Sequence, residues 1–252
     1  MPEEVPDPLI SFRGISRAFA GRPVLRDVSL DFAARQVTAV VGASGCGKST
    51  LLKLCNGLLR PDAGEISVFG EPIDYQQLPV LRRRMGYAVQ GTGLFPHMSA
   101  RDNIDLGARL AGWSDTVIAE RIGELTTLMH LDANLLDRYP HQLSGGQQQR
   151  VGLCRAMMLR PDVLLLDEPF AAIDPITRQD IHAQLQEIMH EVPITALLVT
   201  HDMREAMELA TRIVVLREGE VRVNETAQAI RDSHPGEPPE RVLQGILGAN
   251  DT

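Results

Sequence analysis

Apolar residues in this chain fall into two kinds of pattern. Gln36-Val37-Thr38-Ala39-Val40-Val41, Val163-Leu164-Leu165-Leu166 and Thr195-Ala196-Leu197-Leu198-Val199-Thr200 are short and almost continuously apolar. Such runs predict strands buried on both faces, as parallel sheets require. Glu65-Ile66-Ser67-Val68-Phe69 alternates, which predicts an antiparallel piece. From Ser99 to Met158 the spacing becomes helical: Asp102-Asn103-Ile104-Asp105-Leu106, then Val117-Ile118 through Leu128-Met129, then a helix after Ser144. Pro72 to Arg84 reads as a polar connection ending in a short helix. Asp174-Pro175 reads as a cap with proline at the first helical position, and Ile176, Ile181, Leu185, Ile188 and Met189 line the helix that follows. These elements predict an α/β fold: a mixed sheet flanked by helices, an antiparallel β piece and an inserted helical subdomain. The boundaries expected are a lead at 1–8, one domain at 9–232 with the helical subdomain at about 99–158, and a Pro/Gly-rich tail at 233–252. No internal repeat is evident.

The chemistry sits where the predicted strands end. Directly after Val41 comes Gly42-Ala43-Ser44-Gly45-Cys46-Gly47-Lys48-Ser49-Thr50, and a helix through Cys55 follows. Strand, glycine loop and helix N-terminus make an anion trap, with N–H groups and the helix dipole favouring negative charge. Glycine lets the backbone approach phosphate oxygens, Lys48 can reach β- and γ-phosphates, and the Ser49 hydroxyl can ligate Mg²⁺. A glycine turn that happens to precede a helix is the bland alternative. Asp167-Glu168-Pro169 ends the second buried run. Open α/β sheets bind ligands at that edge. Asp167 suits Mg²⁺ binding through a water, and Glu168 suits a general base that polarises the attacking water. An acidic strand end facing solvent would look the same in isolation. The third run ends at His201-Asp202, and Asp202 with Glu205 predicts a capping box for a helix from Met203. His201 is therefore set at a strand-to-helix corner, able to contact a γ-phosphate or simply to pack in the turn.

A second glycine-rich segment, Leu143-Ser144-Gly145-Gly146-Gln147, lies downstream; Ser144 is 144 − 48 = 96 positions beyond Lys48. Ser144 can cap the helix beginning at Gly145-Gly146, leaving N–H groups for a second anion site that another copy of the chain would fill. Cys46, among inward-facing N–H groups beside Lys48, is expected to favour its thiolate.

Taken together, these motifs resemble the nucleotide-binding subunit of ATP-binding cassette (ABC) transporters over about residues 9–232. The resemblance implies a P-loop NTPase core and an ATPase using ATP and Mg²⁺. Leu143-Ser144-Gly145-Gly146-Gln147 resembles the family signature. Gln90, in Gly86-Tyr87-Ala88-Val89-Gln90, resembles the glutamine that senses Mg²⁺ and couples to the membrane partner. Ala171-Ala172-Ile173-Asp174 resembles the D-loop, with Ala171 where the family often has serine. His201 matches the switch histidine. Phe19 is similar to the aromatic that stacks on adenine, although Phe12 lies in the same region. Gly93 to Met98, Tyr139 to Gln142 and Asp174 to Arg178 look like bacterial importers, most similarly those for glycine betaine, choline and proline. The resemblance further implies a head-to-tail homodimer in the ATP-bound state, a membrane permease, indirectly a substrate-binding protein, and a place on the cytoplasmic face of the inner membrane.

Composition narrows the alternatives. With 25 Lys+Arg against 33 Asp+Glu the net charge is −8, so no nucleic acid partner is expected. DNA-maintenance relatives carry a long coiled coil between the two glycine motifs, or zinc cysteines. Here the motifs are close, and Cys46, Cys55 and Cys154 have no metal-ligand spacing. Three cysteines without a disulfide pattern suit a reducing compartment. No apolar stretch approaches the 18 residues of a membrane span, and the N-terminus has neither the basic region nor the apolar core of a signal peptide.

Overall fold

The structure is a computed structural model and describes residues 8–171, 173, 175–191, 194–238, 241–242, 245–246 and 248. Asp174, most of the lead at 1–8 and much of the apolar stretch near 242–247 lie outside the described residues. In chain order the elements are β1 (Ile10–Phe19), β2 (Arg22–Phe32), β3 (Val37–Val41), α1 (Lys48–Cys55), β4 (Ala63–Val68), β5 (Glu71–Pro72), α2 (Leu78–Arg83), β6 (Met85–Ala88), α3 (Ala100–Leu110), α4 (Asp115–Leu128), α5 (Gly145–Met157), β7 (Val163–Asp167), α6 (Pro175–Glu191), β8 (Thr195–Thr200), α7 (Met203–Leu209), β9 (Arg212–Arg217), β10 (Glu220–Thr226) and α8 (Ala227–Ser233). Chain contacts divide it into two units, residues 1–78 with 193–252 and residues 79–192.

In the first unit, β3 lies between β8 and β9 and runs parallel to both. All five residues of β3 and all six of β8 are buried, which explains their unbroken apolar pattern. β10 closes this side antiparallel to β9. A separate antiparallel sheet has the order β2-β1-β4-β5. The expected antiparallel piece is its β4, but the long β1–β2 hairpin was not legible as such. Register shifts interrupt β1 between Phe12 and Ala18, so its inward and outward positions do not alternate cleanly. Its core is a T-shaped contact of Phe12 and Phe32, ring centroids 5.9 Å apart.

In the second unit, β6 and β7 pair in parallel, and α5 packs on β6. A Cβ on Gly86 of β6 would lie 2.2 Å from the Ala156 carbonyl oxygen, so glycine is what admits α5 this closely. α3 and α4 pack on α5, forming the run of helices expected from the periodicity. Each fully buried leucine of β7, Leu164 to Leu166, contributes about 1.5–3 kcal/mol. α3 begins in a capping box of Ser99 and Asp102.

Candidate active site

The phosphate loop is shaped by its glycines. Gly45 and Gly47 have φ of 80° and 111°, a region closed to most side chains. Gly47 is also the N-cap of α1 and, being glycine, supplies no capping side chain. No capping side chain therefore covers the start of α1. Packing fixes the loop from behind. A Cβ on Gly42 would lie 2.2 Å from the Leu216 carbonyl oxygen, and one on Gly47 would lie 2.7 Å from Leu25 Cδ2. No heavy atom lies within 4 Å of a Cβ on Gly45, and Ser44 and Gly45 are exposed, so that side of the loop is open to approach.

Lys48 is buried, and its Nζ donates to the carbonyl oxygens of Gly42 at 2.8 Å and Ala43 at 2.9 Å. No carboxylate pairs with it among the described residues. A buried ammonium held only by carbonyls, beside a glycine-capped helix N-terminus, fits a phosphate chain. Ser49 and Thr50 follow in the first turn, both partly exposed.

The sheet register brings His201 to this loop's edge. Val41 pairs with Thr200, so both strands release their chains at one end, into Gly42 and His201 respectively. His201 is exposed. The corner is built differently from the expected capping box. Asp202 does cap α7, but it accepts from the N–H of Arg204 at 2.8 Å. Glu205 instead accepts from the Thr200 hydroxyl at 2.5 Å, and Thr200 accepts from the N–H of Asp202 at 3.0 Å. The two aromatic candidates separate clearly. Phe12 is buried in the hairpin core, whereas Phe19 is 41% exposed with the Arg17 guanidinium 4.9 Å from its ring centroid. Phe19 pairs with Arg22, close to the Val24 and Leu25 that touch Gly47.

Cys46 corrects an expectation. It is buried, and burial pushes its thiol up, with Lys48 pulling it only partly back. The thiolate is therefore not favoured. Burial raises the other two cysteines as well, Cys154 to about 12.

In the second unit, the register of β6 on β7 pairs Tyr87 with Leu165 and Ala88 with Leu166. Gln90 thus leaves its strand in step with Glu168, and Gln90 Nε2 donates to Glu168 Oε2 at 3.4 Å. Asp167 is buried and accepts from the Tyr87 hydroxyl at 3.3 Å. Tyr87 was missed by sequence reading, since only the strand register reveals it. Glu168 has φ of 47°, a left-handed conformation that strains a non-glycine residue by about 1–3 kcal/mol. Such strain directly after a buried strand concentrates at functional sites.

The second glycine segment is also in this unit. Ser144 caps α5, accepting from the N–H of Gln147 at 3.3 Å, while Gln147 Oε1 accepts from the N–H of Ser144 at 2.9 Å. This reciprocal box holds the helix start. Ser144 and Gly145 are exposed, and a Cβ on buried Gly146 would lie 2.2 Å from Thr177 Cγ2 on α6. Asp174, expected at the nucleotide, lies outside the described residues.

Residues 25–171 match the ABC transporter family. The chain is 47% identical over 215 residues to the glycine betaine uptake system ATP-binding protein YehX of Escherichia coli K12, covering 84% of this chain and 69% of that protein. It is 42% identical over 214 residues to the glycine betaine/carnitine/choline transport ATP-binding protein OpuCA of Bacillus subtilis 168, covering 84% of this chain and 56% of that one. This chain therefore spans little more than half the length of several curated relatives. Among solved structures, the dimeric structure of MJ0796, a bacterial ABC transporter cassette, is similar with a TM-score of 0.80 and 30% identity over 86% of this chain and 98% of that one.

Proposed function

The chain belongs to the ABC transporter family, and from that premise we propose that it is the ATP-hydrolysing subunit of a bacterial importer of quaternary amines or other osmoprotectants: glycine betaine, choline or proline. The observation that carries the ATPase reading is the buried Lys48 ammonium, partnered by carbonyls alone, at a glycine-capped helix start. The substrate class follows relatives named for glycine betaine, carnitine and choline transport.

In this reading Gly42 to Thr50 hold the phosphates of ATP and Phe19 stacks on its adenine. Ser49, Asp167 and Gln90 serve Mg²⁺, which would draw charge from the phosphates. Glu168 accepts the proton of the attacking water, and His201 steadies the γ-phosphate. Tyr87 holds the Asp167 carboxylate in place. Two copies meet head to tail, and Ser144, Gly145, Gly146 and Asp174 complete the site of the opposing copy. Closure acts on a membrane permease, which receives solute from a binding protein. In this reading the permease holds the chain at the cytoplasmic face of the inner membrane; no helix among the described residues is long and apolar enough to cross a membrane.

Uptake of labelled glycine betaine, choline and proline tests the assignment in cells whose own copy of this chain is replaced by Glu168→Gln. Loss of uptake of at least one, restored by the wild-type chain, is expected. Unchanged uptake of all three, with loss of a different solute, would remove the osmoprotectant assignment and leave the ATPase.

A further inference from the structure

The segment that follows Gln90 is held by one half-buried side chain of the signature helix. Arg155 of α5 donates from Nη1 to the Gly93 carbonyl at 2.9 Å and from Nη2 to the Thr92 carbonyl at 3.2 Å. Its Nη1 also reaches Asn103 Oδ1 of α3 at 3.4 Å, and its guanidinium lies 5.8 Å from the Phe95 ring centroid. Carboxylates are absent from its partners among the described residues, and burial lowers its pKa. A partly desolvated cation without an anion is a costly device for joining two pieces of chain that a leucine could pack together.

The same segment is fastened elsewhere. The Thr92 hydroxyl donates to Gln148 Oε1 at 3.3 Å, and Gln148 Nε2 donates to the carbonyls of Pro140 at 2.9 Å and Leu143 at 3.1 Å. Asn103, fully buried, accepts from the Phe95 N–H at 2.8 Å and donates to the carbonyls of Phe95, Met98 and Ser99. A Cβ on Gly152 of α5 would lie 3.3 Å from the Thr92 carbonyl oxygen. Residues 92–99 are attached to α5 through Gln148 and Arg155 and to α3 through Asp102 and Asn103, yet form no strand or helix of their own before Ala100.

We infer that Arg155 is a positioning residue that fastens residues 92–95 to α5, so that a shift at Gln90 reaches the Ser144 end of the helix and is not lost in the loop. It rests on the reading that Gln90 and Ser144 both serve ATP. The fork geometry matters: a guanidinium can hold two successive carbonyls at once, whereas an ammonium is a point donor.

The test combines hydrogen exchange on the nucleotide-free protein with steady-state ATP hydrolysis. In Arg155→Met, exchange across 91–98 is expected to rise by about tenfold or more while α1 and β3 keep their protection. Turnover at saturating ATP should fall by about tenfold, within the usual range of coupling between sites, with the KM for ATP changed by less than about twofold. Arg155→Lys should recover part of both effects. Thr92→Val, which removes only the Gln148 link, should move both in the same direction by less, and stands in if Arg155→Met does not fold. Wild-type exchange at 91–98, faster exchange with unchanged turnover, or a loss of protection spread evenly through α3, α4 and α5 would each overturn the inference. A failure of the ATPase reading shows separately, as the absence of ATP hydrolysis by the wild-type protein, and leaves the exchange result standing.

Discussion

The loop at residues 42–50 and the segment at residues 90–99 both leave a buried parallel strand, yet different forces hold them. The first is a backbone object. Left-handed glycines, a glycine N-cap and close approaches at Gly42 and Gly47 set its path, and its buried Lys48 turns back onto the loop's own carbonyls. The second is held by side chains from elsewhere: Asn103, Gln148 and Arg155 supply the hydrogen bonds that its backbone does not make with itself. A loop specified by its own residues can be rigid and local. One specified by partners moves when they move, which suits a part that must transmit a change.

The largest effect should come at the chemistry. Lys48→Ala is expected to lose both nucleotide affinity and turnover, measured by fluorescent-nucleotide titration and phosphate release. Glu168→Gln should keep affinity and lose roughly 10²–10⁴-fold in turnover, the usual worth of a general base. Hydrolysis at the wild-type rate in Glu168→Gln would assign the base elsewhere.

If backbone conformation sets the first loop, Gly47→Ala must destabilise the nucleotide-free protein. At φ of 111°, with Leu25 Cδ2 2.7 Å from the new Cβ, the strain is about 1–3 kcal/mol, lowering Tm by roughly 2–12 °C. An unchanged Tm would mean that the loop tolerates a side chain and is not backbone-determined.

Glu168 tests strain at the other site. Asparagine adopts the left-handed region more readily, so Glu168→Asn should be more stable than Glu168→Gln by about 0.5–1 kcal/mol in urea unfolding, both being inactive. Equal stability would place no strain there.

The smallest effect concerns Cys46. Burial pushes its thiol up, so labelling by maleimide should be slow at neutral pH and accelerate as pH rises. It should still outpace Cys55 and Cys154, which are more completely buried, and MgATP should slow it. Peptide mapping that finds Cys154 labelled first would contradict this.

What could be read in advance followed the same division. β3, β7 and β8 were legible because burial on both faces leaves an unbroken apolar run. The phosphate loop was legible because glycine spacing encodes backbone shape. The β1–β2 hairpin was not, since register shifts break its alternation. Nor were Tyr87 at Asp167 and the Gln90–Glu168 contact as geometry, because strand register is a long-range fact. Arg155 gave no signal: its partners are carbonyls, which any sequence supplies. The thiolate expected at Cys46 failed because motif position says nothing of burial, and burial outweighs the pull of Lys48.

In the proposed dimer, Ser144 and the start of α5 act on the nucleotide of a second copy. Light scattering of Glu168→Gln with ATP should report a dimer, and adding Ser144→Arg should abolish it. The arginine places a bulky cation at an exposed helix start and removes a cap worth about 1 kcal/mol, too little to unfold the domain. ATP binding by the folded monomer should survive. A Glu168→Gln, Ser144→Arg protein that still dimerises with ATP would contradict the shared site.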